Sequence, residues 1–311
     1  MKMELGDSVR GPHQVTDVPC SPGCPLAWSV FGCGFAQRVS TDAESLMVAL
    51  FVLKLVAGIT LMWLLMPRKD VTDGFFRIQM LVALGLSVLL VLMLDVSSLT
   101  GNGISAASEF ELQQARATIQ ILKGMQLAVA VIAYAGHIFW KLGRRGPGRI
   151  TIFLLAGLCI GSLVLHSWHM ASGVPAWLQV VSDLSSAAVL GATITGMLLG
   201  HWYLTTPTMS IQPLTWFAKA LFVAALVRLF ASGFVLAHFG WTATDTTYTL
   251  WLSMRLIGGI AVPLATSLMV VRILRYRNTQ SATGVLFAGL ILVFMGEMTA
   301  ALLERALRIP F

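Results

Sequence analysis

Long apolar stretches, each about the length of a membrane-spanning helix, recur along most of the chain. A helix needs roughly 20 apolar residues to cross a bilayer core of about 30 Å, and none of these stretches shows the polar alternation of a barrel strand. We therefore predict an all-α, polytopic membrane protein whose eight transmembrane helices form one bundle. The eight stretches lie at Ser45–Met66, Ile78–Ser98, Ala117–Trp140, Ile150–Met170, Trp177–Tyr203, Thr215–His238, Leu250–Arg272 and Thr283–Leu303.

The composition agrees with a membrane location. Hydrophobic residues make up 57% of the 311 positions and charged residues only 11%, whereas soluble domains carry about 25% charged residues. The pattern divides the chain into two parts. Residues 1–44 form an extracytoplasmic tail that contains Pro, Gly and Cys, and residues 45–311 form the bundle.

Basic residues gather in alternate connections, which predicts the orientation of the helices. The connections after the first, third, fifth and seventh stretches hold eleven Lys and Arg residues, and the other side holds six. By the positive-inside rule, the basic connections are cytoplasmic and both termini lie outside, on the periplasmic side of a bacterial inner membrane. The net charge of +7 is therefore explained by topology, and we expect no nucleic-acid partner. The eleven are Arg68, Lys69, Arg77, Lys141, Arg144, Arg145, Arg149, Lys219, Arg272, Arg275 and Arg277.

Three cysteines lie in the tail, in an oxidising compartment if this orientation holds. Cys20 and Cys24 flank a Ser-Pro-Gly turn and could close a small disulfide loop, which leaves Cys33 over. Simple spare thiols and a metal or redox site are the other interpretations.

Two segments are irregular for a membrane bundle. The connection Thr205–Pro213 is polar without charge, and we expect it to pack back against the bundle. In the seventh stretch Arg255 precedes Gly258-Gly259 and Pro263, so we expect a kinked or closely packed helix there.

Histidines lie at two depths in four consecutive predicted helices. His137 and His201 end the third and fifth helices beside aromatic residues that favour the membrane interface. His166 and His169 lie near the opposite end of the fourth helix, and His238 lies near that end of the sixth. The spacing predicts an inner pair, His137 with His201, and an outer pair, His166 or His169 with His238.

Such pairs would suit a b-type haem, because two neutral imidazoles on facing helices supply both axial ligands. Glycines near these histidines leave room for a macrocycle, and Arg144, Arg145 and Arg149 could pair with the propionates. In its layout the bundle resembles a di-haem cytochrome b, although it lacks two histidines about thirteen or fourteen residues apart on one helix, which the familiar quinol-oxidising cytochromes carry. The resemblance implies electron transfer across the membrane.

Two other interpretations of the histidines stay open. Histidines at helix ends often serve as hydrogen-bonding groups at the interface or in the core. The stretch from His166 through His169 to Met170 also offers two imidazoles and a thioether, which are suitable ligands for copper. A metal site formed by His166, His169 and Met170 is therefore a further candidate.

Seven charged residues fall inside the predicted helices. Charges in lipid are costly, so each one indicates a possible site. Arg255 and Glu297 lie at similar depth and are expected to form an ion pair, which is either structural or part of a pocket for a quinone headgroup. In that pocket Asp183 and Glu297 would relay protons, and Arg228 or Arg255 would polarise a carbonyl. The seven are Lys54, Asp95, Lys123, Asp183, Arg228, Arg255 and Glu297.

These patterns predict a membrane subunit of an electron-transfer complex that exchanges electrons with quinone. It would act as part of an oxidoreductase with redox partner subunits, with or without haem b. The helix count and outer termini are also similar to the haem-free quinone-reactive anchors of the NrfD and DmsC type. The alternatives are a transporter or permease that uses the buried charges, an enzyme or assembly factor for haem or copper, and a structural subunit.

Overall fold

The computed structural model describes residues 26–94, 109–170, 175–206, 209–240 and 245–307, and these ranges consist of helices joined by short turns, with no strand. A short 3-10 turn, Arg68–Asp70, separates the first two helices, and a π-helical segment, Ile257–Ala261, joins the seventh and eighth. The helices are α1 (Leu26–Leu65), α2 (Asp73–Met93), α3 (Glu109–Lys141), α4 (Arg145–Met170), α5 (Ala176–Thr205), α6 (Gln212–Phe239), α7 (Thr246–Leu256), α8 (Val262–Arg275) and α9 (Thr279–Leu307).

Within these ranges, eight helical stretches are long and apolar enough to cross a membrane. The seventh consists of α7, the π-helical segment and α8 together. The predictions of an all-α fold and of eight apolar spans are therefore confirmed. In the predicted tail, helix α1 already begins at Leu26 and continues into the first span. Residues 1–25, with Cys20 and Cys24, and the side chain of Cys33 lie outside the described part.

Helix α5 occupies the centre of the bundle and is the most deeply buried span. It packs against α1, α4, α6 and α9, while α2, α3 and α4 pack in sequence on one side. On the other side, α6, α8 and α9 pack together. Side chains carried by α5 can therefore meet groups from both halves of the bundle.

Glycines bring α1 into backbone contact with α5. A Cβ atom built at Gly58 would lie 1.9 Å from the carbonyl oxygen of Ala187, and one at Gly191 would lie 2.1 Å from the backbone of Gly58. No side chain fits at either position. The contact is the close helix approach that small residues permit in membrane bundles, and it fixes how α1 faces α5.

A second glycine contact lies at the π-helical segment. A Cβ atom at Gly296 of α9 would lie 2.2 Å from the backbone nitrogen of Gly259, so the segment rests directly on α9. Pro263, in the first turn of α8, lacks the N–H that a regular helix would use here. The seventh span is thus irregular and closely packed, as predicted, and the irregularity is a π-helical turn.

One end of the bundle, called here the basic end, carries the eleven basic residues of the alternate connections. Arg145 forms an ion pair with Asp73, with Nε 2.9 Å from Oδ1, and Trp140 stacks on Phe76 with ring centroids 4.6 Å apart. The hydroxyl of Tyr203 donates to the carbonyl of Ser210 in the connection between α5 and α6. Met209 and Ile211 pack against the hydrophobic core, so the described part of that connection packs back against the bundle, as predicted.

Candidate functional site

An ion pair between α1 and α5 forms the core of the candidate site. Lys54 Nζ lies 2.7 Å from Asp183 Oδ1, and Asp183 is buried. The hydroxyl of Ser167 on α4 donates to Asp183 Oδ2 over 2.6 Å. Both carboxylate oxygens of Asp183 therefore have a partner, as a buried carboxylate requires.

A second carboxylate extends this arrangement toward α9. Lys54 Nζ lies 3.7 Å from Glu304 Oε2, and Gln179 Nε2 donates to Glu304 Oε1. Gln179 is also within 3.3 Å of Asp183 Oδ2, because residues four apart share one face of a helix. Lys54 thus lies between two carboxylates that the Gln179 amide links; Lys54, Gln179, Asp183 and Glu304 are called the Lys54 cluster below.

Two buried arginines hold a third carboxylate. Arg255 Nη1 lies 2.6 Å from Glu297 Oε1, so the ion pair predicted from their depths is present. Arg228 Nη2 lies 3.8 Å from Glu297 Oε2, and the hydroxyl of Ser186 donates to the same oxygen. Glu297 is therefore bound by side chains from three helices, α5, α6 and α7.

Helix α5 connects the arginines to the Lys54 cluster. Arg228 Nη1 donates to the carbonyl oxygen of Ser182 over 2.6 Å and lies 2.7 Å from its hydroxyl. Ser182 is adjacent in sequence to Asp183, which binds Lys54. The network therefore runs continuously from α1 through α5 to α6, α7 and α9.

The charges of this network balance. Lys54, Arg228 and Arg255 supply three cations, and the carboxylates of Asp183, Glu297 and Glu304 supply three anions. An unpaired charge would be very costly in this interior, so the balance explains how the bundle accommodates six ionisable groups. Removing any one of them leaves a net charge behind.

A cavity of about 290 Å³ opens beside the network. One side of it is apolar and is formed by side chains of α1, α3 and α9, including Leu46, Leu50, Phe51, Ile119, Leu122 and Ala301. The other side is formed by Lys54, His166, Gln179, Asp183, Glu297, Glu304 and Arg305. The cavity can therefore take a ligand that is apolar on one side and carries hydrogen-bonding oxygens on the other.

The structure brings together the four residues that sequence analysis proposed as proton-relay and polarising groups. Asp183 belongs to the Lys54 cluster, and Arg228 and Arg255 both bind Glu297. Of these four, only Asp183 and Glu297 line the cavity. The two arginines instead neutralise and orient Glu297.

Sequence analysis missed several members of the network. Lys54 was noted as a buried charge but not as the partner of Asp183, and Glu304 and Gln179 were not considered. A usable indication was present in α5, where the run Ser182-Asp-Leu-Ser-Ser186 concentrates four polar residues within five positions of a membrane-spanning helix. Three of those serines bind Arg228 or Glu297.

The histidines predicted as haem ligands have separate surroundings. A ring nitrogen of His137 lies 3.1 Å from the carbonyl oxygen of Arg77, and His201 is exposed. His238 is exposed and stacks on Phe234 of its own helix, while His166 lines the cavity. These side chains lie on four different helices.

Helix packing does not bring the predicted haem pairs face to face. In the described ranges, α3 packs on α2 and α4, whereas α5 packs on α1, α4, α6 and α9, so the helices of His137 and His201 do not pack along each other. The helices of His166 and His238, α4 and α6, are likewise joined through α5. Haem ligation by these pairs stays a prediction without support from the packing.

The proposed metal ligands are only partly described. His169 is exposed and lies near Gln114 of α3, with 3.5 Å between its Nδ1 and the amide nitrogen. The side chain of Met170 lies outside the described part. Across the described ranges, no group of three or more His, Cys, Asp or Glu side chains is placed to hold a metal ion. Copper binding by His166, His169 and Met170 stays a prediction.

The remaining noted residues lie away from the network or outside the described ranges. Lys123 is half-buried on α3, and Asp95 lies outside those ranges. Cys159 is a free, fully buried thiol in the apolar core. Comparison of the chain with protein-family models, with curated proteins and with solved structures found no match.

Proposed function

We propose that this protein is the quinone-binding membrane subunit of an electron-transfer complex and that its quinone headgroup binds in the cavity beside Lys54. The observation that supports this is the mixed lining of the cavity, which combines apolar side chains of α1, α3 and α9 with ionisable and polar side chains of α1, α4, α5 and α9. A quinone ring is itself apolar on its faces and carries carbonyl oxygens at its edge. The lining is complementary to both features.

Lys54 is the group proposed to hold a quinone carbonyl. Its ammonium has three donors, and the ion pair with Asp183 and the longer contact to Glu304 leave donor capacity toward the cavity. A hydrogen bond from a cation stabilises the negative charge that develops on a carbonyl oxygen during reduction. His166 lines the same cavity, and its imidazole can donate to the second oxygen. The amide nitrogen of Gln179 already donates to Glu304 and Asp183.

Asp183 and Glu304 are proposed to exchange protons with the bound ligand. When a quinone is reduced it takes up an electron pair and a pair of protons, and quinol oxidation releases them. The Glu304 side chain is 28% exposed, compared with 3% for Asp183. Glu304 is therefore the better placed of the two for proton exchange with the surroundings, and Asp183 for exchange with the ligand.

The electrons come from, or go to, a redox partner subunit. This chain supplies the binding site, its proton-exchange groups and the membrane anchor, so it is not an oxidoreductase by itself. The charge distribution supports a position in a bacterial inner membrane with the basic end in the cytoplasm and the Lys54 cluster toward the periplasmic side.

Binding of a short-chain ubiquinone analogue to the purified protein tests this proposal. Ala301 lines the cavity on α9, so Ala301→Phe should fill it and weaken binding about tenfold or more, equivalent to about 1.4 kcal/mol or more. Ala288, exposed on the same helix, provides the matched control, and Ala288→Phe should bind as the unchanged protein does. Equal affinity in all three proteins, or no saturable binding, would contradict the proposal.

An absorption spectrum of the purified protein tests the haem version. Reduced-minus-oxidised bands of b-type haem that disappear in His137→Ala or His201→Ala would support haem ligation at the basic end. A colourless protein that binds quinone would place the electron carrier wholly in the partner subunit.

Transport is the second candidate, and the π-helical segment favours it. Residues 257–261 interrupt the seventh span immediately after Arg255, and discontinuous helices beside buried charges are typical of secondary transporters. Proton-coupled solute uptake into proteoliposomes that depends on Asp183 or Glu297, without quinone binding, would establish this candidate in place of the first.

A further inference from the structure

A second cavity, of about 910 Å³, lies at the basic end. It is bordered by the connections that precede α2, α6 and α9. Two cations, Lys219 and Arg277, line it together with hydroxyl and amide groups of Ser210, Gln212 and Thr279. No acidic side chain is part of the described lining. The cavity therefore favours an anionic group with several hydrogen-bond acceptors.

An apolar groove adjoins this cavity. It has a volume of about 690 Å³ and runs between α1, α5 and α6, where its lining includes Leu61, Leu65, Leu184 and Val223. Trp216 and Lys219 line both the groove and the cationic cavity, so the two spaces meet at this pair of side chains. Along α6 the groove extends from Trp216 to Val227, a length of about 16 Å at the helical rise.

We propose that this composite site binds one anionic phospholipid, with its phosphate in the cavity between Lys219 and Arg277 and an acyl chain in the groove along α6. A phospholipid has the same order of chemistry, a charged headgroup followed by a hydrocarbon chain. Lys219 suits the boundary, because its aliphatic stem can cover the apolar groove while its ammonium reaches the headgroup. Trp216 has the amphipathic ring that is enriched at this depth of a bilayer.

The backbone at Arg277 supports a role for its side chain. Arg277 has a φ of 56°, in the left-handed region that glycine and asparagine adopt most readily. Its N–H donates to the carbonyl of Leu274 and closes α8, a helix ending at which glycine is usual. Glycine would adopt this backbone conformation at lower cost than arginine. The advantage of arginine at position 277 is therefore its guanidinium, which lines the cavity.

A membrane lipid accounts for the site better than a free phosphate. A soluble anion would occupy the cationic cavity and leave the adjoining apolar groove unexplained. The groove is lined almost entirely by hydrocarbon, and its residues Leu65, Val223 and Val227 are exposed on the outer surface of the bundle. Because the cationic cavity and the apolar groove are continuous, the site fits a ligand that has both an anionic group and an acyl chain.

Quenching of tryptophan fluorescence by brominated lipids tests this inference, because Trp216 lies where headgroup and chain meet. The protein is placed in phosphatidylcholine nanodiscs that contain a small fraction of brominated phosphatidylglycerol or, in parallel, of brominated phosphatidylcholine. We expect stronger quenching by the anionic lipid, and we expect Trp216→Phe to remove that difference.

Charge-removing variants measure the selectivity. Lys219→Gln and Arg277→Gln should each lower the preference for the anionic lipid about fivefold, since a basic residue at the surface contributes about 1 kcal/mol. Arg272→Gln is the matched control, because Arg272 is exposed at the same end but does not line the cavity. It should keep the full preference.

Three outcomes would overturn the inference. One is equal quenching by the two lipids in the unchanged protein, and another is an equal loss of preference in Arg272→Gln. The third is displacement of the brominated anionic lipid by millimolar inorganic phosphate, which would identify a soluble anion as the ligand. None of these measurements depends on quinone binding at the Lys54 cavity.

Discussion

Lys54 and Asp183 form an ion pair of 2.7 Å that joins the first span to the fifth. The pair lies one helical turn from Gly58 of α1, where that helix touches the backbone of α5. The short distance between the helices therefore positions the ammonium and the carboxylate for direct contact. This pair links the central packing of the bundle to the ionisable side of the cavity.

Removing one charge of this ion pair should destabilise the protein more than removing both the Lys54 and the Asp183 charge. Lys54→Met leaves Asp183 buried without its nearest cation, which is expected to cost about 3–5 kcal/mol in the free energy of unfolding. The double variant Lys54→Met/Asp183→Leu should lose much less than the sum of the single variants. Unfolding in mixed detergent micelles, followed by tryptophan fluorescence, measures all three.

Lys123→Met is the control for that series. Lys123 is half-buried on α3, and none of the ion pairs seen among the described residues includes it, so its replacement should change the free energy of unfolding by less than about 1 kcal/mol. Additive effects of Lys54→Met and Asp183→Leu would show that the two side chains do not interact.

Neutralising Glu297 should destabilise the protein more than neutralising Glu304. Glu297 is the counterion of both Arg228 and Arg255, so Glu297→Gln leaves two buried guanidinium groups unbalanced. Glu304 is more exposed, and its contact with Lys54 is longer than that of Asp183. Thermal unfolding of Glu297→Gln and Glu304→Gln in the same detergent compares them, and the reverse order would contradict the arrangement described.

Adding one methyl group at the α1–α5 contact should destabilise the bundle. Gly191→Ala places a Cβ atom against the backbone of Gly58, and overpacking of this kind costs about 1–3 kcal/mol. Gly157→Ala on α4 is the matched control, because no atom lies within 4 Å of its added methyl group. The control should leave stability unchanged or raise it by up to about 1 kcal/mol, since alanine favours helix.

The predicted orientation can be tested by labelling single cysteines in cells. In a chain whose four native cysteines are replaced by alanine, Thr246→Cys should react with a membrane-impermeant maleimide on intact cells. Gly146→Cys, at the basic end, should react only after the membrane is permeabilised. Both positions are exposed, so the opposite labelling pattern would reverse the orientation.

The apolar spans could be predicted because each of them is a local property of the sequence. The Arg255–Glu297 pair could also be predicted, since α7 and α9 follow one another closely and run antiparallel, so that depth alone suggested the contact. Depth and sequence proximity were sufficient in this part of the bundle.

The Lys54–Asp183 pair required information that hydropathy does not contain, namely which helices are neighbours. The histidine pairs were predicted on the assumption that the third to sixth spans share one interior. The contact between Gly58 and Gly191 instead places α1 directly against α5, and α3 remains beside α2 and α4. Backbone proximity at two glycines thus determined a neighbour relationship that residue types alone did not indicate.

The balance of three cations and three anions also bears on how the protein is made. Lys54 enters the bilayer with the first span, but its partner Asp183 is synthesised only with the fifth, and Glu304 only with the last. Until Asp183 is present, the lone Lys54 must be shielded by the insertion machinery or by water drawn into the membrane, or must lose its proton. The Lys54–Asp183 pair can therefore form only after the fifth span has been made, and the full charge balance only after the last.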